Sequence, residues 1–238
     1  MKKNLLFAAM AVTALASCSN DDVVDVNNGG GISFRASLDR AVTRTNVTSL
    51  QNLAAFNVTA IGDGKNYFTD LGVSSADNGV NWTTASTYYW PGYELAFFAY
   101  APQAPAGTVS IDNASKKITG FSPAQAVADQ KDLVISYNTG TKAVNEGPGV
   151  AMNFKHALSQ IEVKAKCSND KIKIEIMGVK LVNAAAKAEF AFPETETKSS
   201  YVLQQSQWSN WSEKDDPTKA YMIKGGAPVI LTADAQRI

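Results

Sequence analysis

The chain has 238 residues, 45% of them hydrophobic, and its 22 basic and 22 acidic side chains cancel to a formal charge of zero. That length suits one large or two small domains, and a neutral balance without a basic stripe argues against a nucleic-acid partner. One histidine and two cysteines cannot supply the familiar zinc ligand sets, so no metal or cofactor is expected.

Lys2 and Lys3 precede a short apolar run, Leu5 to Ala14. A helix needs about 20 residues to cross a bilayer core, so residues 1–17 read as a secretory signal, not an anchor. The run ends in Leu15-Ala16-Ser17-Cys18, which resembles a bacterial lipobox, where the cysteine is diacylated and becomes residue one. Two or three acyl chains hold a protein durably where one holds it marginally. The alternative is an ordinary signal peptide with an incidental cysteine. Removing residues 1–17 takes two lysines and no acid, leaving a net charge of −2. Lipidation of Cys18 leaves Cys167 without an intramolecular partner, so burial alone has to hold the fold. Cys167 reads as a small filler, with intermolecular pairing as the other option.

Residues 18–31 are acidic, then Asn/Gly-rich, without apolar periodicity. They read as a flexible tether, and Ser19 to Gly31 can reach at most about 45 Å when extended. Ser19 after the cysteine looks like an outer-membrane signal. The Asp21-Asp22 pair resembles the acidic surface-export tag of Bacteroidetes lipoproteins.

From Ile32 onward, short runs rich in Val, Ile, Phe, Tyr and Thr alternate with Gly, Asn, Asp and Pro, a pattern of strands and turns. Strands are predicted at 32–38, 53–61, 67–69, 94–100, 108–111, 117–121, 132–137 and 150–154, with short turns at 49–55 and 123–128. Leu95–Tyr100 is apolar on both faces, as a covered central strand is. In Leu158–Lys166, Ile161, Val163 and Ala165 alternate with charged residues, which predicts a half-buried strand. Lys171–Asn183 begins likewise, with Ile172, Ile174 and Ile176 inward, and its parity flips after Met177-Gly178, which predicts a β-bulge there. Further strands are predicted near 187–192, 201–205, 218–223 and 229–233.

Many short strands without alternating helices imply antiparallel sandwiches. The expected organisation is an N-terminal β-sandwich over 32–166 and a short C-terminal β domain over 167–238, with the boundary near Lys166–Lys171. The second unit is small for a sandwich, so the chain is read as truncated or as needing another strand.

Three phrases in order, FRASLDRAVTRT (Phe34 to Thr45), YYWPGYELAFFAYAP (Tyr88 to Pro102) and VAMNFKHALSQIEVKAK (Val150 to Lys166), resemble the fimbrillin family of Bacteroidales lipoproteins. The resemblance implies an all-β chain of two transthyretin-like antiparallel β-sandwich domains in tandem, the second short or incomplete. It implies a fimbrial subunit at the cell outer membrane, held there through its lipid, whose partners are other fimbrial subunits joined by strand exchange. In such subunits a trypsin-like protease cuts after an arginine, the first strand leaves, and a strand from the next subunit fills the groove. The physics is β-augmentation, in which unpaired backbone groups and side-chain pockets accept a foreign strand. Carried onto this chain, the candidate cuts follow Arg44 or Arg40, and both can instead be solvated loop arginines. The exchanged segment holds Ile32, Phe34, Ala36 and Leu38 as its inward set.

No phosphate-binding Gly-rich motif or nucleophile elbow is present, and His156, between two strands, reads as a turn or packing residue. Catalysis is not expected. Trp208 and Trp211, three apart in a polar segment, can be exposed to stack on sugar rings or can be core; Trp82 and Trp90, with Tyr88 and Tyr89, can stack likewise, but core or hairpin packing is the favoured reading for Trp82 and Trp90. The leading reading is therefore a fimbrial subunit or adhesin that also meets host or bacterial surface ligands. The alternative is a surface glycan-binding β-sandwich lipoprotein.

Overall fold

A computed structural model describes residues 30–38, 49, 52–185, 187–212 and 220–237. Cys18, Arg40 and Arg44 lie outside the described residues. The strands, in chain order, are β1 (Phe34–Leu38), β2 (Ala55–Gly62), β3 (Lys65–Ser74), β4 (Thr83–Thr84), β5 (Leu95–Ala101), β6 (Thr108–Ile111), β7 (Lys116–Phe121), β8 (Val134–Gly140) and β9 (Val150–His156). They continue with β10 (Lys164–Ala165), β11 (Glu175–Ile176), β12 (Val179–Val182), β13 (Lys187–Ala191), β14 (Trp208–Ser212), β15 (Ala220–Lys224), β16 (Val229–Ile230) and β17 (Gln236–Arg237). One four-residue helix, α1 (Lys142–Asn145), and two 3-10 turns are the only helical pieces among the described residues.

Seven strands form one sheet in the order β1-β9-β8-β5-β2-β3-β4. Its centre has no face for water. On β5, Leu95, Phe97, Ala99 and Ala101 enter one core, while Phe98 and Tyr100 enter a second. Phe56, Val58 and Ala60 of β2 and Val150, Met152 and Phe154 of β9 join the first core. Ile135 and Tyr137 of β8 join the second. A period of two with both parities apolar is what a doubly covered strand requires.

The second core is roofed by a four-stranded sheet, β14-β13-β7-β6, through Ile111, Ile118, Phe121 and Phe190. Two of its strands, β13 and β14, follow Lys166, yet β13 pairs with β7. The fold is nearly all β and layered as a sandwich. Thr197 extends the roof, bonding Ser136, Asn153 O and both backbone groups of Tyr137.

The first core is closed differently, by curling of the large sheet on itself. Phe34 of β1 meets Phe56 and Phe97 edge-on at centroid distances of 6.2 and 5.7 Å. Trp82, Tyr88 and Trp90, from the segment around and after β4, complete the packing. The two ends of the sheet touch where Ile32 N–H donates to Tyr88 O at 2.7 Å and Gly31 bridges Tyr89.

Beyond Ala157 the expected half-buried strand does not form. Ile161 is 50% exposed, and only Lys164–Ala165 pair, with β17. The next segment pairs in pieces, β11 with β16 and β12 with β15. Together 164–182 and 220–237 make a broken two-stranded ribbon. Ile172 and Ile174, expected inward, are exposed, because among the described residues no further sheet covers that face. The interruption predicted at Met177-Gly178 separates β11 from β12, and the register slips one residue later, at Val179/Lys180. The strand expected at 201–205 does not form: 201–204 lie outside any ladder and Gln205 opens a 3-10 turn, Gln205–Gln207; Gln204 N–H donates to Gln207 Oε1 at 2.8 Å, a local bond that competes with a ladder.

Two outcomes test this packing. Truncating Phe97, which touches Phe34, Phe68 and Trp90, should cost about 3–5 kcal/mol in chemical denaturation; a loss below about 1 kcal/mol would contradict a shared core. The turn leading into Trp82 is organised by Asp77, which accepts from Ser75 Oγ, Asn81 N–H and Asn81 Nδ2. These bonds, the Asn81 backbone N–H foremost, hold its carboxyl down at about 2. A depressed native pKa stabilises above the unfolded value and the effect fades as pH falls through the native one. The Asn81 amide resonance should therefore titrate near about 2 and not in the ordinary carboxylate range, and Asp77→Asn should abolish the step.

Candidate functional site

The position of β1 combines two properties that seldom coincide. It is an edge strand, and it supplies core. Phe34 and Ala36 are each 1% exposed, Ile32 is buried, and Leu38 is partly buried against the same cluster. All four residues of the predicted inward set therefore meet one core. Backbone pairing comes from β9, in register Phe34↔Val150 through Leu38↔Phe154, and it is parallel. This is a departure from an all-antiparallel body: every other ladder among the described strands is antiparallel. A parallel pair needs a long crossover, which the intervening strands provide.

The two ends of this segment are held unequally. At Gly31–Ser33, Tyr88 and Tyr89 lie on one side, while on the other Val150 N–H donates to Ser33 O at 2.9 Å. Gly149 allows that approach: it sits at φ +76°, and a Cβ there would be 3.0 Å from Ser33 Oγ. From Phe34 to Leu38 the only strand neighbour among the described residues is β9. One side-chain bond is added, Ser37 Oγ to Asn153 Oδ1 at 2.6 Å.

Polar satisfaction is incomplete around this strand. Ser33 is 3% exposed, and its Oγ has no hydrogen-bond partner; Arg35 Nε and the indole nitrogens of Trp82 and Trp90 share that condition. Buried polar groups are normally paired, so four orphans in and around one strand and the wall facing it mark the region. Sequence reasoning identified the inward residues but missed Ser33, Gly149 and the Tyr88–Tyr89 clamp. The only available signal was the positive-φ preference of a glycine just before a strand.

The remaining candidates are placed as follows. Trp82 and Trp90 are core residues. His156 is not in a turn; it ends β9, and its Nδ1 lies 2.6 Å from Asp132 Oδ2. Trp208 is half-buried between Phe121 and Phe190, and its Nε1 donates to Ala157 O at 3.1 Å. Trp211 is 50% exposed and leans on Trp208, with ring centroids 5.7 Å apart and planes at 33°. Asn210, at φ +51°, and a register slip opposite Ala188 turn both indoles to one side. Cys167 is a free thiol in the ribbon, within 3.3 Å of Asn169 O. Burial raises the Tyr100 hydroxyl well above its usual range, helped by Asp70, whose carboxylate accepts from it. This is a partly buried structural bond, tied through Asn57 to Gln103.

Among the described residues no group of three or more His, Cys, Asp or Glu could hold a metal ion. No described helix is long and apolar enough to cross a membrane.

Comparison with curated protein sequences yields no match. A model of a protein family described as fimbrillin-like matches residues 40–231, well over half of the chain. The phrases at Tyr88–Pro102 and Val150–Lys166 fall inside that match, and they form β5, β9 and the wall of the first core. The chain thus belongs to the fimbrillin-like family and is a fimbrial component of the cell surface.

Proposed function

We propose that this protein is a non-catalytic pilus subunit, delivered to the outer membrane as a lipoprotein on Cys18 and joined to other subunits by replacement of β1. Cleavage after Arg44, or after Arg40, frees the strand and its lipid together. A strand from a neighbouring subunit then takes the vacated place. A cut subunit serves as a stalk piece, and an uncut one as an anchor.

One observation carries this reading: a strand with a single strand neighbour over most of its length supplies Phe34 and Ala36, 1% exposed, to the main core. Burial of a large apolar side chain is worth about 1.5–3 kcal/mol, so Phe34 and Ile32 alone stabilise substantially. Losing β1 also uncovers Phe56, Phe97 and β9. An open groove of that kind is unstable in water and strongly favours an incoming strand, while opening it breaks one ladder, with β9, and the short contact of Gly31 and Ile32 with Tyr88 and Tyr89. The tandem arrangement enters through the ribbon, whose arms, 164–182 and 220–237, are read as a second, short unit.

The exposed ring of Trp211 supports a second reading, binding of surface glycans by stacking. Trp211→Ala should then abolish polysaccharide binding in titration calorimetry without lowering Tm. Trp208→Ala, by removing a packed and hydrogen-bonded indole, should lower both.

For the main reading, filaments from the native cell are analysed by intact mass and N-terminal sequencing. A mature start at Thr45 or Ala41 supports the stalk role, and Arg44→Ala with Arg40→Ala should then keep the protein out of filaments. An acylated Cys18 in filaments supports the anchor role. Absence of the chain from every filament contradicts both.

A further inference from the structure

We infer that the place held by β1 is selective, taking a strand with a large aromatic at the Phe34 level and nothing beyond a methyl at the Ala36 level, and that resident Ser33 weakens β1 as its occupant. The inference rests on the strand-replacement reading above and specifies the partner's chemistry.

The size rule follows from the packing. Phe34 points edge-on at two rings, Phe56 and Phe97, which stand on the adjacent strands β2 and β5, neither of them a sheet neighbour of β1. Two residues on, Ala36 lies opposite Met152, in the core that holds Phe56 and Phe154 with centroids 5.1 Å apart. Met152, Phe56 and Phe154 are fully buried. A dense interior at that level has no room for a larger side chain without moving those residues. The accepted pattern, read on alternate residues, is aliphatic, aromatic, methyl, aliphatic.

The weakness of β1 comes from its polar parity. Ser33 is buried and its hydroxyl is unpartnered, and Arg35 Nε is likewise orphaned. An incoming strand with a small apolar residue at the Ser33 level makes the same backbone bonds and desolvates no hydroxyl. Ser37 differs, since its hydroxyl is bonded to Asn153. The resident strand thus fits in shape and is imperfect in polarity, which suits an occupant that has to leave.

The test uses the full chain bearing Phe34→Ala, which loosens its own strand, and labelled peptides of residues 32–38 added in trans; the milder Leu38→Ala chain serves as second host if the first folds poorly. The native peptide should bind and raise the host's Tm. The Ala36→Phe and Phe34→Ala peptides should each bind at least about tenfold more weakly, and the Ser33→Ala peptide about fivefold more tightly. An Ala36→Phe peptide that binds within about twofold of native overturns the selectivity and leaves strand replacement standing. Equal affinity of the Ser33→Ala peptide overturns the claim about Ser33. If no peptide binds either host, strand replacement and its selectivity fall together.

Discussion

Leu95, Phe97, Ala99 and Ala101 of β5 point into one core while Phe98 and Tyr100 point into another, so neither face of this strand can be given to water. Two covers are therefore required, and the molecule makes them by different means. One is a separate four-stranded sheet with a single apolar face, which is ordinary sandwich packing. The other is the large sheet itself, bent until its ends meet at Gly31–Ile32 and Tyr88–Tyr89. The first cover is made of four laddered strands, but the second depends on whatever strand occupies its open edge.

That dependence gives β1 its character. A central strand exchanges backbone bonds on two sides, so removing it breaks two ladders; β1 breaks one. Its side chains nevertheless reach across the curl to Phe56 and Phe97. The cohesion of β1 is thus weighted toward side-chain burial, which is non-directional, and away from sequence-specific polar contacts. Any strand of matching apolar pattern can recover burial, whereas a network of polar bonds would have to be matched atom by atom. A fold that accepts foreign strands has reason to place its polar contacts elsewhere, as in Tyr100 with Asp70 and Asn57.

How much of this was legible in the sequence depended on whether the signal was local. Thr108–Ile111 and the inward set Ile32, Phe34, Ala36 and Leu38 follow from alternation and flanking turn residues, and the structure has both. The partner of β1 was not legible: Ser37 and Asn153 lie 116 residues apart, and no local pattern encodes a parallel pairing at that distance. The Trp208/Trp211 spacing of three was ambiguous for a similar reason. A strand of period two puts these residues on opposite faces, and only the left-handed Asn210 with its register slip brings them to one.

The ribbon shows the same logic in reverse. Alternation at Ile172, Ile174 and Ile176 reports that one face is apolar, and hence that burial is favourable there; it does not report that a cover exists. In the first sandwich, each apolar parity found one, because β13, β14 and the curl of the large sheet were on hand. The two arms of the ribbon ladder with each other alone among the described strands, in three short ladders. A lone two-stranded hairpin is marginal in water, and here it is steadied by β15, where Met222 N–H donates to Gln125 O and Gln130 Nε2 donates to Met222 O. Apolar periodicity therefore measures a demand for contact, and it becomes a prediction of fold only when the layer that meets the demand is also identified.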